Sequence, residues 1–165
     1  MSEFWDAYDA EMNPLEGVVL KRDEKIPEGI YHLICEVLVR HTDGTYLIMK
    51  RDARKNFGGY WEATAGGSAL RGETPEQCAV RELREETGVV TDTLTELGRS
   101  TFPQISCHYI EYLCITDVDK ECITLQEGET SDYRWVTEEE LMNMGEEELI
   151  HPRIREYIKG DKVWR

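Results

Sequence analysis

Residues 67–89 read Gly67-Ser68-Ala69-Leu70-Arg71-Gly72-Glu73-Thr74-Pro75-Glu76-Gln77-Cys78-Ala79-Val80-Arg81-Glu82-Leu83-Arg84-Glu85-Glu86-Thr87-Gly88-Val89. The second part of this stretch predicts a helix over Pro75–Thr87. Thr74 is a natural N-cap, Pro75 suits the first helical position, and Gln77 completes a capping box. Gly88 supplies the stop, because glycine takes the left-handed conformation at a helix end without penalty. Glu82, Glu85 and Glu86 are spaced i, i+3, i+4, which sets three carboxylates on one face within an arc of about 100°. Each like-charge neighbour costs a helix about 0.2–0.5 kcal/mol, and the cluster lies at the end where the helix dipole disfavours anions. Arg81 and Arg84 offset part of this. From the carboxylates alone, a solvated acidic face and a built site are both open readings.

The surroundings favour the site. Three hard oxygen donors suit Mg²⁺ or Mn²⁺, ions that take octahedral oxygen coordination and bridge to substrate phosphates. Gly66 and Gly67 permit a backbone conformation in which a carbonyl faces the carboxylates. Arg81 comes within reach of Glu73 if the intervening loop folds back. Gly67, five residues, Glu73, seven residues, then Arg81-Glu82-Leu83-Arg84-Glu85-Glu86-Thr87-Gly88-Val89 is a pattern that resembles the signature of the Nudix hydrolases at every defined position. The resemblance implies that Glu82, Glu85, Glu86 and the Gly66 carbonyl are metal ligands, with Mg²⁺ (or Mn²⁺) as the cofactor. It implies that Glu73 and Arg81 are structural, joined in a salt bridge, and that Gly67 and Gly88 shape the box. It also implies a further carboxylate outside the box, for which Glu127, Glu129 and Asp132 are candidates. Glu82, Glu85 and Glu129 are taken as the catalytic set.

Outside the box, Trp5-Asp6-x-Tyr8-Asp9, Gly29-Ile30-Tyr31-His32-Leu33, Arg51 and Gly59-Tyr60-Trp61-Glu62 resemble the branch related to type I isopentenyl-diphosphate isomerase, over about residues 3–90 and more weakly to Trp135. That isomerase carries a catalytic Cys and a metal-binding His after the Trp, and those positions fall here at Gly66 and Ser68. Without a thiol and an imidazole, its proton transfer is not available. The expectation is therefore hydrolysis of a pyrophosphate linkage in a nucleoside diphosphate derivative. An isomerase-like enzyme and a non-catalytic nucleotide-sensing module are the alternatives.

Charge bears on partners. With Lys+Arg 19 against Asp+Glu 34, the formal charge of −15 disfavours nucleic acid and anionic membranes as partners and leaves a small-molecule diphosphate. A bound divalent cation lets so acidic a chain approach an acidic substrate. Arg51, Arg54 and Lys55 form the densest basic cluster and are candidate diphosphate ligands, with a solvated loop as the competing reading. Selectivity is expected in residues 52–60 and 100–108. The five cysteines contain no C-x-x-C pair and read as reduced, mostly buried small hydrophobes. His32, in an apolar strand, reads as a hydrogen-bonded core histidine. The longest uncharged stretch, Ser100–Ile110, is too short to span a bilayer, and the acidic N-terminus lacks the features of a signal peptide, so a cytoplasmic protein is expected.

The rest of the chain supplies strands at 30–39 and 46–49, joined by Asp43-Gly44 as a hairpin over 31–50. Further strands are expected at Gly17–Arg22, 94–102, 106–116 and Tyr133–Val136. Thr137-Glu138-Glu139-Glu140 opens a second helix, and a third is expected at Pro152–Lys159. This order gives a single Nudix domain over 1–165, an α/β/α sandwich around a mixed sheet, with an N-terminal extension at about 1–16. Phe4, Trp5 and Tyr8 in that extension suit a homodimer contact or a lid on the sheet.

Overall fold

The computed structural model describes residues 2–160; Met1 and 161–165, the two ends of the span expected as one domain, lie outside the described residues. β1 (Phe4–Tyr8) and β2 (Pro14–Lys21) form an antiparallel pair. A mixed sheet contains β3 (His32–His41), β4 (Tyr46–Arg51), β5 (Trp61–Glu62), β6 (Thr64–Ser68), β7 (Thr95–Phe102), β8 (Cys107–Thr116) and β9 (Thr130–Val136). The apolar, β-branched run at 30–39 becomes its central strand. β3 runs parallel to β8 from His32↔Cys107 to His41↔Thr116 and antiparallel to β6 from Ile34↔Ser68 to Leu38↔Thr64.

The segment 31–50 is a hairpin only at its tip. Gly44 makes the turn at φ 94°, but the ladder between β3 and β4 is confined to Arg40↔Tyr46. Beyond it β4 pairs with β9 and β5, while β6 takes the released edge of β3. The competing strands are a two-residue segment and Thr-Ala-Gly-Gly-Ser, whose glycines give little strand signal.

Alternation along the strands assigns two faces. Cys35, Val37 and Val39 of β3, with Leu47 and Met49 of β4, pack with Cys78, Ala79 and Leu83 of α1 (Pro75–Thr87). Leu38, Tyr46 and Ile48 pack instead with Leu141 of α2 (Glu138–Asn143) and with Ile154 and Ile158 of α3 (Ile154–Lys159). Helices on both faces make the expected α/β/α sandwich. The capping of α1 is as read: Gln77 N–H donates to Thr74 Oγ1 at 3.2 Å, Thr74 N–H donates to Gln77 Oε1 at 3.0 Å, and Gly88 closes the helix at φ 77°.

The segment read as an N-terminal extension contains β1 and the start of β2. Trp5, Ala7 and Leu20 form a small core of their own, while Phe4 faces outward. Cys35, Cys78, Cys107 and Cys114 are buried free thiols, and Cys122 is exposed. His32 is buried, with Nδ1 3.2 Å from the Ser106 carbonyl. No helix among the described residues is long and apolar enough to cross a membrane.

Candidate active site

β6 runs beneath α1 and brings Gly66 and Gly67 against the acidic face of the helix. Neither glycine has a positive φ, so the conformational freedom expected of them is not what this place uses. It uses their missing side chains: a Cβ on Gly66 would lie 2.3 Å from the Cys35 carbonyl oxygen, and one on Gly67 would lie 2.6 Å from Glu82 Oε1. The Gly66 N–H donates to Glu86 Oε2 at 3.0 Å.

The loop between β6 and α1 folds back as its spacing allows. Arg81 grips Glu73 with two hydrogen bonds, Nε to Oε1 at 2.6 Å and Nη2 to Oε2 at 2.9 Å. Its Nη1 donates to Glu82 at 2.6 Å and to Glu85 at 3.2 Å, and its Nη2 also reaches the Ser68 carbonyl at 3.1 Å. Glu73 in turn accepts from the Leu70 N–H at 2.8 Å. One guanidinium thus ties loop, strand and helix together.

Glu82, Glu85 and Glu86 share a cavity of about 280 Å³ with Gly66, Gly67 and Arg81. Burial pushes the Glu86 carboxyl up to about 8, with Glu62 and Glu82 adding repulsion against the pull of the Gly66 N–H and Lys55. Burial also raises Glu82, with Arg81 opposing. Two desolvated carboxylates with a third beside them, served by the single guanidinium of Arg81 at Glu82 and Glu85, are the electrostatic condition of a cation site. Among the described residues no three acidic, His or Cys side chains are already gathered at ligating distance, since Arg81 holds Glu82 and Glu85.

Outside the box, Lys55 and Glu129 reach the same cavity and pair with each other. Arg51 and Arg54 are not among the residues lining it. Arg51 pairs with Glu62 at 2.9 Å and bonds the Asn56 carbonyl, and Arg54 lies on the surface against Asp52. Glu127 and Asp132 are likewise absent from the lining, and Asp132 sits in β9 opposite Lys50. The segment 100–108 forms the end of β7, a single 3₁₀ turn and the start of β8, and it does not line the cavity. In its place stand Glu3, Trp5 and Arg22, which sequence reasoning did not single out for the site, together with Gln126. Along β1, Trp5 and Ala7 turn inward at alternate positions, and in the sequence their flanking of Asp6 is the one trace of it.

The NUDIX domain model matches residues 31–159 of the chain. The protein belongs to the Nudix family. It is accordingly a pyrophosphate-cleaving hydrolase, of a family that is generally dependent on divalent metals and acts on small molecules. It is 39% identical over 145 residues to the uncharacterised Nudix hydrolase lmo0368 of Listeria monocytogenes, covering 84% of this chain and 82% of that protein. It is 30% identical over 83 residues to an isopentenyl-diphosphate Delta-isomerase of Corynebacterium diphtheriae, covering 50% of this chain and 45% of that protein. The crystal structure of DR0079 from Deinococcus radiodurans shares the Nudix fold at a TM-score of 0.71 and 20% identity, covering 99% of this chain and 100% of that one.

Proposed function

We propose that this Nudix enzyme carries out Mg²⁺-dependent hydrolysis of a pyrophosphate linkage in a nucleoside diphosphate derivative. The observation that carries the reading is the gathering of Glu82, Glu85 and Glu86 over the Gly66-Gly67 strand, in a cavity where burial raises the Glu82 and Glu86 carboxyls. Their side chains and the Gly66 carbonyl would hold Mg²⁺, or Mn²⁺, as hard oxygen donors do. The contact of Gly67 with Glu82 supports the fit, because any larger residue would displace that carboxylate. The bound ion would neutralise charge growing on the phosphoryl oxygens and make attacking water more acidic.

The chain's own residues divide the remaining work. Glu73 fixes Arg81, and Arg81 positions Glu82 and Glu85 at the cavity wall. Glu129, within the cavity, is assigned with Glu82 and Glu85 to hold or accept the proton of the attacking water. Lys55 beside it is placed to take a phosphate oxygen. Arg51 and Arg54 are read as shaping the 52–60 loop through their carboxylate partners. Gly66 and Ser68, where the isomerase resemblance requires Cys and His, line the cavity with neither, which favours hydrolysis over isomerisation. Four buried free thiols and one exposed thiol suit a reducing, cytoplasmic setting.

The test is phosphate or pyrophosphate release, with and without Mg²⁺, from a panel of nucleoside diphosphate compounds plus isopentenyl diphosphate. Glu86→Gln is expected to lower Mg²⁺-dependent turnover on the order of a hundredfold with the fold retained. Undiminished turnover in that variant overturns the assignment of the site.

A further inference from the structure

A second cavity, of about 280 Å³, shares a loop with the acidic one. Phe57, Tyr60, Leu149 and Ile150 give it apolar walls, with Glu146 and His151 as its polar groups. The loop of residues 52–60 reaches both cavities, since Lys55 lines the acidic one and Phe57 the apolar one. Two positions of chain span at most about 7 Å, and the bond from the Gly58 N–H to the Lys55 carbonyl folds this stretch into a turn. The ion pair of Arg51 with Glu62 neighbours both sites. Both of its charges act on Lys55, and Glu62 acts on Glu86. Both also act on His151, whose imidazolium is disfavoured first by burial.

The slot is firmly built. Segment 145–152 is fastened to β5, where the Trp61 N–H donates to the Glu148 carbonyl at 2.7 Å and the Ile150 N–H to the Trp61 carbonyl at 2.9 Å. The 52–60 loop is tied by Arg51 Nε to the Asn56 carbonyl at 2.9 Å and by the Tyr60 N–H to the Phe57 carbonyl at 3.1 Å. It is closely wound, for a Cβ on Gly58 would lie 2.6 Å from the Ala53 carbonyl oxygen. This loop holds Phe57 61% exposed at φ 57°. His151 stands at φ 50° before Pro152, a position that prefers extended backbone. Bulky side chains rarely take the left-handed conformation, and such strain gathers where ligands are gripped. The Phe57 and Tyr60 rings meet edge to face, with centroids 6.0 Å and planes 82° apart, and the exposure of Phe57 leaves ring surface open to stacking. Nothing among the described residues hydrogen-bonds the His151 ring, so its nitrogens are open to the edge of a ligand.

We propose that this slot seats the nucleobase of the substrate, with Phe57 stacking on its face and His151 meeting its edge. No lysine or arginine lines the slot, so it does not compete with the acidic cavity for phosphates. A base offers both a flat face and an edge of donors and acceptors, and the slot has a use for each, whereas an alkyl group has no edge to offer. A nucleoside diphosphate then bridges the shared loop, phosphates on one side and base on the other. This inference rests on the pyrophosphohydrolase reading of the acidic cavity and names what its substrate carries.

The probes are the α,β-methylene diphosphates of adenosine, guanosine, cytidine and uridine, with methylenediphosphonate as the base-free control and isopentenyl diphosphate as the alkyl one. Each is titrated calorimetrically with saturating Mg²⁺ into the full chain and into Phe57→Leu, Phe57→Tyr and Ile105→Ala. Phe57→Leu keeps apolar bulk without the ring, Phe57→Tyr keeps the ring, and Ile105 is an exposed apolar residue outside both cavities. At least one nucleoside compound is expected to bind the parent chain more tightly than methylenediphosphonate. Phe57→Leu should weaken it about fivefold or more and leave methylenediphosphonate unchanged, with the other variants parent-like and all melting alike. Undiminished nucleoside affinity in Phe57→Leu, equal weakening of methylenediphosphonate, or no nucleoside binding by the parent chain overturns the slot. Isopentenyl diphosphate binding more tightly than every nucleoside compound assigns the slot to an alkyl group and overturns it too. Turnover separates the two readings. Hydrolysis of nucleoside compounds with KM unchanged in Phe57→Leu overturns the slot alone, whereas nucleoside binding that Phe57→Leu weakens, without hydrolysis of any compound, overturns the hydrolase reading alone.

Discussion

Gly67 faces Glu82 so closely that a Cβ placed on it would lie 2.6 Å from the carboxylate oxygen Oε1. The neighbouring glycine meets something quite different, the backbone carbonyl of Cys35 on the central strand. A carboxylate at the end of a side chain can swing aside, whereas a strand cannot. Gly67→Ala is therefore expected to fold with near-parent stability but to lose Mg²⁺-dependent turnover about tenfold or more, because Glu82 is displaced. Gly66→Ala is expected to lose about 1–3 kcal/mol of stability as an overpacked strand contact. Urea denaturation and phosphate release measured side by side separate the two, and equal stability loss in both variants would contradict this division.

On the opposite face of the sheet, Arg153 serves two buried carboxylates, Glu36 and Glu111, at 2.9 Å each, and Tyr157 donates to Glu111. Removing the guanidinium leaves both without their cation. Arg153→Met is expected to cost about 3–5 kcal/mol in chemical denaturation. Adding Glu36→Gln and Glu111→Gln to it should recover a substantial part; no recovery would show that Arg153 acts through packing alone.

The same cluster predicts a pH dependence. Burial pushes the Glu36 carboxyl from its ordinary 4.5 up to about 8, against the pull of Arg153. Between those values the folded state keeps a proton that the unfolded chain has lost, so stability falls as pH rises through this window and levels off above about 8. Urea midpoints taken from about pH 5 to about pH 9 should show this fall, to which the buried Glu86 contributes over the same window, and Glu36→Gln should make it shallower. A parallel pH profile in the variant would contradict the assignment.

Thiol chemistry should divide the cysteines. Cys122 is exposed, while burial pushes Cys107 and Cys114 up to about 11 and the Cys35 thiol is raised beside Cys78. One thiol is expected to react promptly with an aromatic disulfide reagent in the native protein, and the other four only on unfolding. Mass spectrometry of the labelled peptide identifies the reactive one.

The helix carrying the box was readable to the residue because every signal for it is local: Thr74, Pro75, Gln77 and Gly88 act within one turn of where they stand. The apolar runs of β3 and β8 were legible for the same reason. Their partners were not, because which edge β6 or β9 takes depends on competition between distant strands. In the cavity, spacing set the box glutamates on one helix face and the resemblance of the whole box made that face a candidate site, whereas Arg51 and Arg54 showed only as positive charges. Their partners Glu62 and Asp52 are set by the folding of the loop, and that leaves Lys55 to face inward. Trp5 was hidden by the opposite problem: a tryptophan among acidic residues suggests a surface, and only the pairing of β1 with β2 turns it inward.

The parallel pairing of β3 with β8 also governs the order of assembly. Partners such as His32 and Cys107 lie seventy-five positions apart, and the whole of α1 is contained in the connection between them. The helix rests on β6 and β3, and its Cys78, Ala79 and Leu83 share one buried cluster with Cys35 and Val37 of β3 and Ile110 and Tyr112 of β8. Closing so long a connection is entropically slow, so the completion of that cluster waits on the arrival of β8. A nascent chain that ends before Cys107 thus has the whole signature and the strands its helix rests on, but a central strand with one edge still open and a core still unfilled.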